Sequence, residues 1–360
     1  MDYNEIRRKT RKIRVGNIYI GGDAPVSVQS MTNTDSCDFD STYRQIKALE
    51  VAGCELVRMA VPSLEAAEVL KRLKESDIRI PISADIHFDY SLAIAAAKAG
   101  ADKIRINPGN IGADDKVRAV AEICLDRGIP IRIGVNGGSL DKRLLQKYGS
   151  ATAEALAESA LDNASMLLKY GFEDIILSVK SSNVAKMIRA NEILAEKTDF
   201  PLHLGVTEAG SAFSGTVKNA VGIGALLSRG IGDTIRVSLT ASPAEEIKSG
   251  REILKSLGIL KGGIEIVSCP TCGRTKIDLI SLVSEFESRL KEITLPAEKQ
   301  NGLKVAIMGC VVNGPGEARE ADIGACGGKG EGLIIRKGEV ICKVPEHSII
   351  DRLIEEINKL

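Results

Sequence analysis

The cysteines beyond residue 260 are the first feature of this chain whose spacing could do chemistry. Cys269-Pro-Thr-Cys272 puts two thiols on one turn, a spacing shared by zinc sites, iron–sulfur sites and redox pairs. Cys310, in GCVVNGPGE, offers a third thiol after an apolar run, and a fourth ligand could come from Cys326 or from the carboxylate of Glu317. A structural zinc ion would prefer the thiol. The Gly- and Pro-rich surroundings expose backbone N–H groups that can donate to cluster sulfides, which favours an iron–sulfur cluster. Held by three thiolates and one carboxylate, such a cluster would keep one iron open to exchange.

A second set of reactive side chains recurs at the ends of short apolar runs. Arg58 closes one such run; others end in Asp85 and His87, Arg105 and Asn107, Arg132 and Asn136, Ser178 and Lys180, His203 and Thr207, and Arg236 and Ser238, with Glu208 just beyond. Side chains alternate along a strand, so the members of each pair point the same way. Solvation at a strand edge would account for a single such arginine. Five cationic strand ends, Arg58, Arg105, Arg132, Lys180 and Arg236, are better explained by convergence on an anion with several charges, since arginine forks match phosphate oxygens. A diphosphate fits them better than a lone carboxylate. The neighbouring Asp85, His87, Asn107, Asn136, His203 and Thr207 could serve hydroxyls and proton transfers.

The elements that must position these groups follow from the alternation of the runs with amphipathic stretches. Strands are expected at 26–30, 56–60, 82–87, 103–107, 131–136, 174–180, 202–207 and 234–239, after an opening hairpin in KIRVGNIYIGG. Eight strand–helix units at this spacing are the pattern of a (β/α)8 TIM barrel, which builds its site at the carboxyl ends of the strands. A doubly wound open sheet would carry a glycine-rich phosphate loop after its first strand, and none follows PVSVQSMTN. A gap before the sixth strand, holding LDKRLLQKYGS, fits an extra loop or short helix. The expected organisation is an α/β barrel over residues 1–258 and a small α/β iron–sulfur domain over residues 259–360.

Composition narrows the function classes. With 48 Lys plus Arg against 48 Asp plus Glu, the balanced charge argues against coating nucleic acid or an anionic membrane. Scarce aromatics, 3% of residues, oppose a stacking nucleic-acid binder. No run approaches the ~18 apolar residues of a spanning helix, and the charged N-terminus does not read as a signal peptide. A cytoplasmic protein is expected, with thiols rather than disulfides.

These motifs together resemble one family, the 4-hydroxy-3-methylbut-2-enyl diphosphate synthases of the non-mevalonate isoprenoid pathway. The resemblance rests on ELVRMAVP, SADIHFDY, KIRINPGN, IRIGVNGGSL, LSVKSSN, LHLGVTEAG, IRVSL, SCPTCGRT and GCVVNGPGEA, which span both regions in order, as in the family's compact two-domain form. It implies reductive opening and dehydration of 2-C-methyl-D-erythritol 2,4-cyclodiphosphate, with a [4Fe–4S] cluster and flavodoxin or ferredoxin as electron donor. It further implies Cys269, Cys272, Cys310 and Glu317 as cluster ligands, with Glu317 exchangeable for substrate. Arg58, Arg105, Arg132, Lys180 and Arg236 then hold the diphosphate, Glu208 is the barrel acid, and Cys326 is a bystander. The stretch between Cys272 and Cys310 is longer than the family's, around LPAEKQNG.

A short linker, GILKGG, leaves the last barrel helix toward the face opposite the site. A head-to-tail homodimer, each tail covering its partner's barrel, is therefore expected. The alternative class is a zinc-stabilised barrel aldolase or transferase acting on a phosphorylated metabolite.

Overall fold

The computed structural model describes residues 3–295, 299, 302–310 and 320–360. Two compact units divide the chain, residues 1–259 and 260–360. In the first, a hairpin of β1 (Ile13–Val15) and β2 (Ile18–Ile20) precedes eight parallel strands. These are β3 (Ser27–Met31), β4 (Leu56–Ala60), β5 (Ile82–Asp85), β6 (Lys103–Ile106), β7 (Ile131–Asn136), β8 (Ile175–Lys180), β9 (His203–Leu204) and β10 (Thr234–Ile235). Their order is β8-β7-β6-β5-β4-β3-β10-β9, and a parallel bridge between Leu177 and Leu202 joins the two ends. The sheet is thus a barrel and not a doubly wound open sheet.

Helices wrap the outside. Their starts are fixed where the strand-end loops supply a capping side chain: Asp38, Ser63, Asp89 and Asn183 each accept a backbone N–H of the first turn, satisfying donors a helix leaves open. Branched residues face these helices from the strands, among them Ile104, Ile131, Ile133, Val135, Ile175 and Val179, all fully buried. The gap after β7 holds a short helix, Lys142–Tyr148.

The barrel's inner face is different. Strand registers put Gln29, Arg58, Ser83, Asp85, Lys103, Arg105, Arg132, Asn136 and Lys180 on one side of the sheet. Barrel interiors are usually filled by Val, Ile and Leu, so this one is polar by exception. Its apolar members Leu56 and Ile176 sit low, packed on Ile13, Val15 and Ile20 of the hairpin. The hairpin thereby closes the amino end. Beneath β9 and β10 a buried ion pair, Arg7 to Asp233 at 3.1 Å, ties down the N-terminal segment.

Three strands are clearly shorter than the sequence suggests: β5 stops at Asp85, which leaves His87 on the loop beyond it. β9 and β10 stop at Leu204 and Ile235 rather than near residues 207 and 239. The side chain of Asn219 accepts the Val206 N–H at 3.0 Å, replacing a ladder bond. Thr207, Glu208 and Ser238 are therefore carried on loops, which frees their orientation from strand parity.

The second unit is a five-stranded sheet in the order β11 (Ile264–Ser268), β12 (Leu303–Met308), β13 (Ile323–Gly327), β14 (Glu331–Arg336) and β15 (Glu339–Pro345), parallel through β13 and antiparallel beyond. Helices Leu279–Ser288 and Ile349–Ile357 cover one face, where Phe286, Leu353 and Ile357 meet Val305, Ile307 and Ile323. A smaller cluster on Ala306, Met308, Cys326 and Ile335 forms elsewhere. Among the described residues no helix is long and apolar enough to cross a membrane.

Candidate active site

The carboxyl end of the barrel gathers the cationic side chains. Asp85, buried at the end of β5, stands 3.1 Å from Arg105 and 3.5 Å from Arg58. Burial alone would raise its pKa, but Arg58, the neighbouring His87, Arg105 and Arg132 outweigh that and hold the carboxyl far below the usual range. Asp85 is thus a fixed anion that aims two arginines. His87 is mostly exposed above it, 3.7 Å from the carboxylate and 3.5 Å from Arg105.

Arg236 is aimed in the same way by a residue not foreseen from the sequence. Glu246, on the helix Pro243–Ser256, accepts from Arg236 Nη2 at 3.1 Å, Ser30 Oγ at 2.8 Å and the Leu239 N–H at 3.2 Å. One carboxylate thus ties three segments of the barrel mouth. Arg132 and Lys180 make no ion pair among the described residues, are almost wholly buried, and are kept from easy protonation by burial first and by neighbouring cations second. Arg132 Nε and Nη1 have no hydrogen-bond partner among the described residues. Unpaired buried cations are costly, so this arrangement fits a site completed by an anion.

Two glycines make room for the cations. A Cβ on Gly134 would lie 2.5 Å from Arg105 Nε, while Arg105 also donates to the Gly134 carbonyl at 3.2 Å. A Cβ on Gly205 would strike the Arg236 carbonyl oxygen and come within 3.0 Å of Lys180 Nζ. Gly134→Ala is expected to displace the Arg105 guanidinium and lower kcat/KM about 10²-fold, as misplacement by ~1 Å can. Steady-state kinetics beside an unchanged circular dichroism spectrum would check this; unchanged kinetics would show that Arg105 does not bear on substrate.

A cleft of about 340 Å3 opens here, lined by His87, Phe88, Arg105, Asn107, Gly134 and Asn136 among others. It lies over β5 to β7, not evenly over all eight strand ends. Asn107 is buried with its Oδ1 unpartnered. Glu208 is exposed at φ 52°, a left-handed backbone uncommon outside glycine and frequent at functional sites. Ser238 offers its carbonyl to Asn219.

His203 departs from expectation. As the first residue of β9 it is fully buried inside the barrel with both ring nitrogens unpartnered, instead of lying at the mouth. Burial, then Arg132, Lys180 and Lys103, keep it neutral by pushing its pKa well down. The interior also holds Lys103 and Gln29, which were not anticipated. Lys103 shares parity with Arg105, so the signal was present.

In the second unit, three adjacent strands present cysteine at their carboxyl ends: Cys269 after β11, Cys310 after β12 and Cys326 within β13. The Gly309 N–H points at Cys269 Sγ at 3.3 Å, which brings the segment preceding Cys310 against Cys269. Thr275 Oγ1 accepts the Cys272 N–H at 3.1 Å, and Lys276 donates to the Gly309 carbonyl at 3.1 Å, so the CxxC turn is tied to the same strand end. Cys272 itself is exposed. Glu317 lies outside the described residues, and among the described residues no three His, Cys, Asp or Glu side chains form a metal-holding group. The soft thiol donors and the N–H directed at sulfur fit an iron–sulfur cluster. Cys54 and Cys124 are inert core thiols, pushed up to about 11 and about 12 by burial.

A (β/α)8 barrel with a cationic mouth, followed by a small sheet domain with cysteines at its strand ends, defines a class of two-domain enzymes. The GcpE TIM-barrel domain matches residues 10–251 and the GcpE protein C-terminal domain residues 265–359, and the chain belongs to this family. It is 58% identical to the 4-hydroxy-3-methylbut-2-en-1-yl diphosphate synthase (flavodoxin) of Clostridium perfringens, over 98% of this chain and 99% of that one. The protein of the same name from Geobacter sulfurreducens is 55% identical over 99% of each chain. Among solved structures, a type I 3-dehydroquinate dehydratase from Clostridium difficile superposes with a TM-score of 0.52 at 16% identity, covering 69% of this chain and 98% of that one. That likeness concerns the barrel fold alone.

Proposed function

We propose that the protein reduces 2-C-methyl-D-erythritol 2,4-cyclodiphosphate to 4-hydroxy-3-methylbut-2-enyl diphosphate, with flavodoxin as electron donor and ferredoxin as the other candidate, in the cytoplasm. The observation that carries this reading is near-full-length identity to relatives named for that product and donor. The unpaired cations of the barrel agree with it. The dianionic substrate takes up two electrons and one proton and yields the trianionic product and water.

Arg58, Arg105, Arg132, Lys180 and Arg236 bind the diphosphate and stabilise the charge it gains as the ring C–O bond breaks. Asp85 and Glu246 keep Arg58, Arg105 and Arg236 aimed. Asn107, Asn136, Thr207 and Ser238 orient substrate hydroxyls, with His87 at the mouth. Glu208 donates the proton to the departing hydroxyl. Cys269, Cys272, Cys310 and Glu317 hold a [4Fe–4S] cluster, which when bound supplies electrons one at a time. The active assembly is a head-to-tail homodimer. Supporting it, the large apolar side chains Leu64, Phe88 and Phe213 stand exposed on segments that follow barrel strands, where a second copy would cover them.

Protein purified without oxygen is expected to be brown, to hold about four irons per chain, and to convert the cyclic diphosphate with reduced flavodoxin. A colourless zinc protein, or an iron-loaded one inert toward this substrate, would overturn the reading.

A further inference from the structure

Below the ring of cations lies a layer that the reaction as described does not use. Lys103 on β6 is completely buried. Among the described residues its Nζ has one hydrogen-bond partner, the neutral amide oxygen of Gln29 on β3, at 3.2 Å. Every charged or titratable group turned toward it is unhelpful to an ammonium. Burial first, then repulsion from Arg132 on β7 and Arg58 on β4, pushes its pKa well down. His203 on β9 is neutral and lacks partners. Asp85 on β5 is already shared between Arg58 and Arg105. Lys180 on β8 is itself kept from easy protonation by burial and by neighbouring cations, and Glu246 is engaged with Arg236. An ammonium in that place would surrender its hydration for one neutral amide and face two guanidinium groups.

We propose that Lys103 is a neutral amine in the ligand-free barrel and takes a proton from solvent as the cyclic diphosphate enters, its ammonium becoming the counter-charge beneath the bound anion. This rests on the reading of the substrate given above. The proton adds to the Nζ lone pair and no other bond changes. It is then in place when ring opening raises the diphosphate from two charges to three. Lys103 touches neither substrate nor reacting atoms; it is a positioning residue acting through the field of the ring.

The test uses the full-length, cluster-loaded protein without oxygen and without reductant, so that substrate binds and does not turn over. Calorimetric titration with the cyclic diphosphate at pH 8, in buffers of different ionisation enthalpy, counts protons directly, because both ligand phosphates are fully ionised there. Wild type is expected to take up about one proton per chain. Lys103→Met should take up almost none, and Gln29→Glu, which gives the ammonium a partner before ligand arrives, should lose the uptake with Lys103 still present. His203→Gln should keep it, since a histidine starts near 6.5 and a lysine near 10.4. Binding without uptake in wild type, or uptake that survives Lys103→Met, overturns the inference and leaves the substrate intact. Absence of binding overturns the substrate reading instead.

A second measurement needs no ligand. A lysine whose folded-state pKa is depressed leaves the unfolded chain binding more protons, so stability rises as pH climbs toward about 10.4. That rise should be measurably flatter in Lys103→Met. Equal slopes in the two proteins would show that Lys103 is charged at rest and sink the proposal.

Discussion

Arg132→Met should give a protein that folds better and scarcely turns over. Arg132 is 1% exposed, and two of its guanidinium nitrogens have no partner. Removing an uncompensated buried charge in favour of an apolar side chain of similar length is expected to raise stability by about 1–4 kcal/mol. The same change deletes a cation from the centre of the ring, where a preorganised group facing developing charge is worth about 10²–10³-fold in kcat. Chemical denaturation of the ligand-free protein and anaerobic turnover measure the two effects separately. Loss of stability together with activity would mean that Arg132 has a counter-ion within the protein and that the ring is structural.

The second large effect is a recovery. Cys310→Ala removes a proposed cluster ligand and should abolish turnover, as should Arg132→Met for its own reason. Unfolding and refolding the two inactive variants together, then reconstituting the cluster without oxygen, should restore activity approaching a quarter of wild type. In a head-to-tail dimer, half of the molecules formed are mixed, and each mixed molecule pairs one intact barrel with one intact cysteine domain. No recovery despite subunit exchange, verified by mass spectrometry of tagged chains, would place both halves of each active site in a single chain.

The barrel was legible in the sequence because its outward strand faces are continuous branched apolar runs and its helices begin at Asp, Ser and Asn caps. The ring was legible by parity: Arg58, Asp85, Arg105, Arg132 and Lys180 fall on the inward face that alternation assigns them. Parity failed where hydrogen bonding left the strand ladder. Asn219 takes over the Val206 N–H, a contact thirteen residues away on a helix that no local pattern announces. Depth was also hidden. His203 and Lys103 share the ring's parity, and only the stagger between strands sets them below it. Glu246 escaped notice because its bonds to Arg236 and Leu239 cross a strand–helix loop and its third partner, Ser30, lies more than two hundred residues away. The glycines at 134 and 205 carry no sequence sign of what they accommodate.

The hairpin of β1 and β2 has a kinetic consequence. By closing the amino end it leaves the cleft over β5 to β7 one doorway, at the carboxyl end of the barrel, for whatever enters or leaves. Under the proposed binding mode, departing product and incoming substrate cannot pass each other there, and both would seek the same guanidinium groups. Turnover must then be a strict alternation of filling and emptying, and a lingering product diphosphate blocks its own precursor.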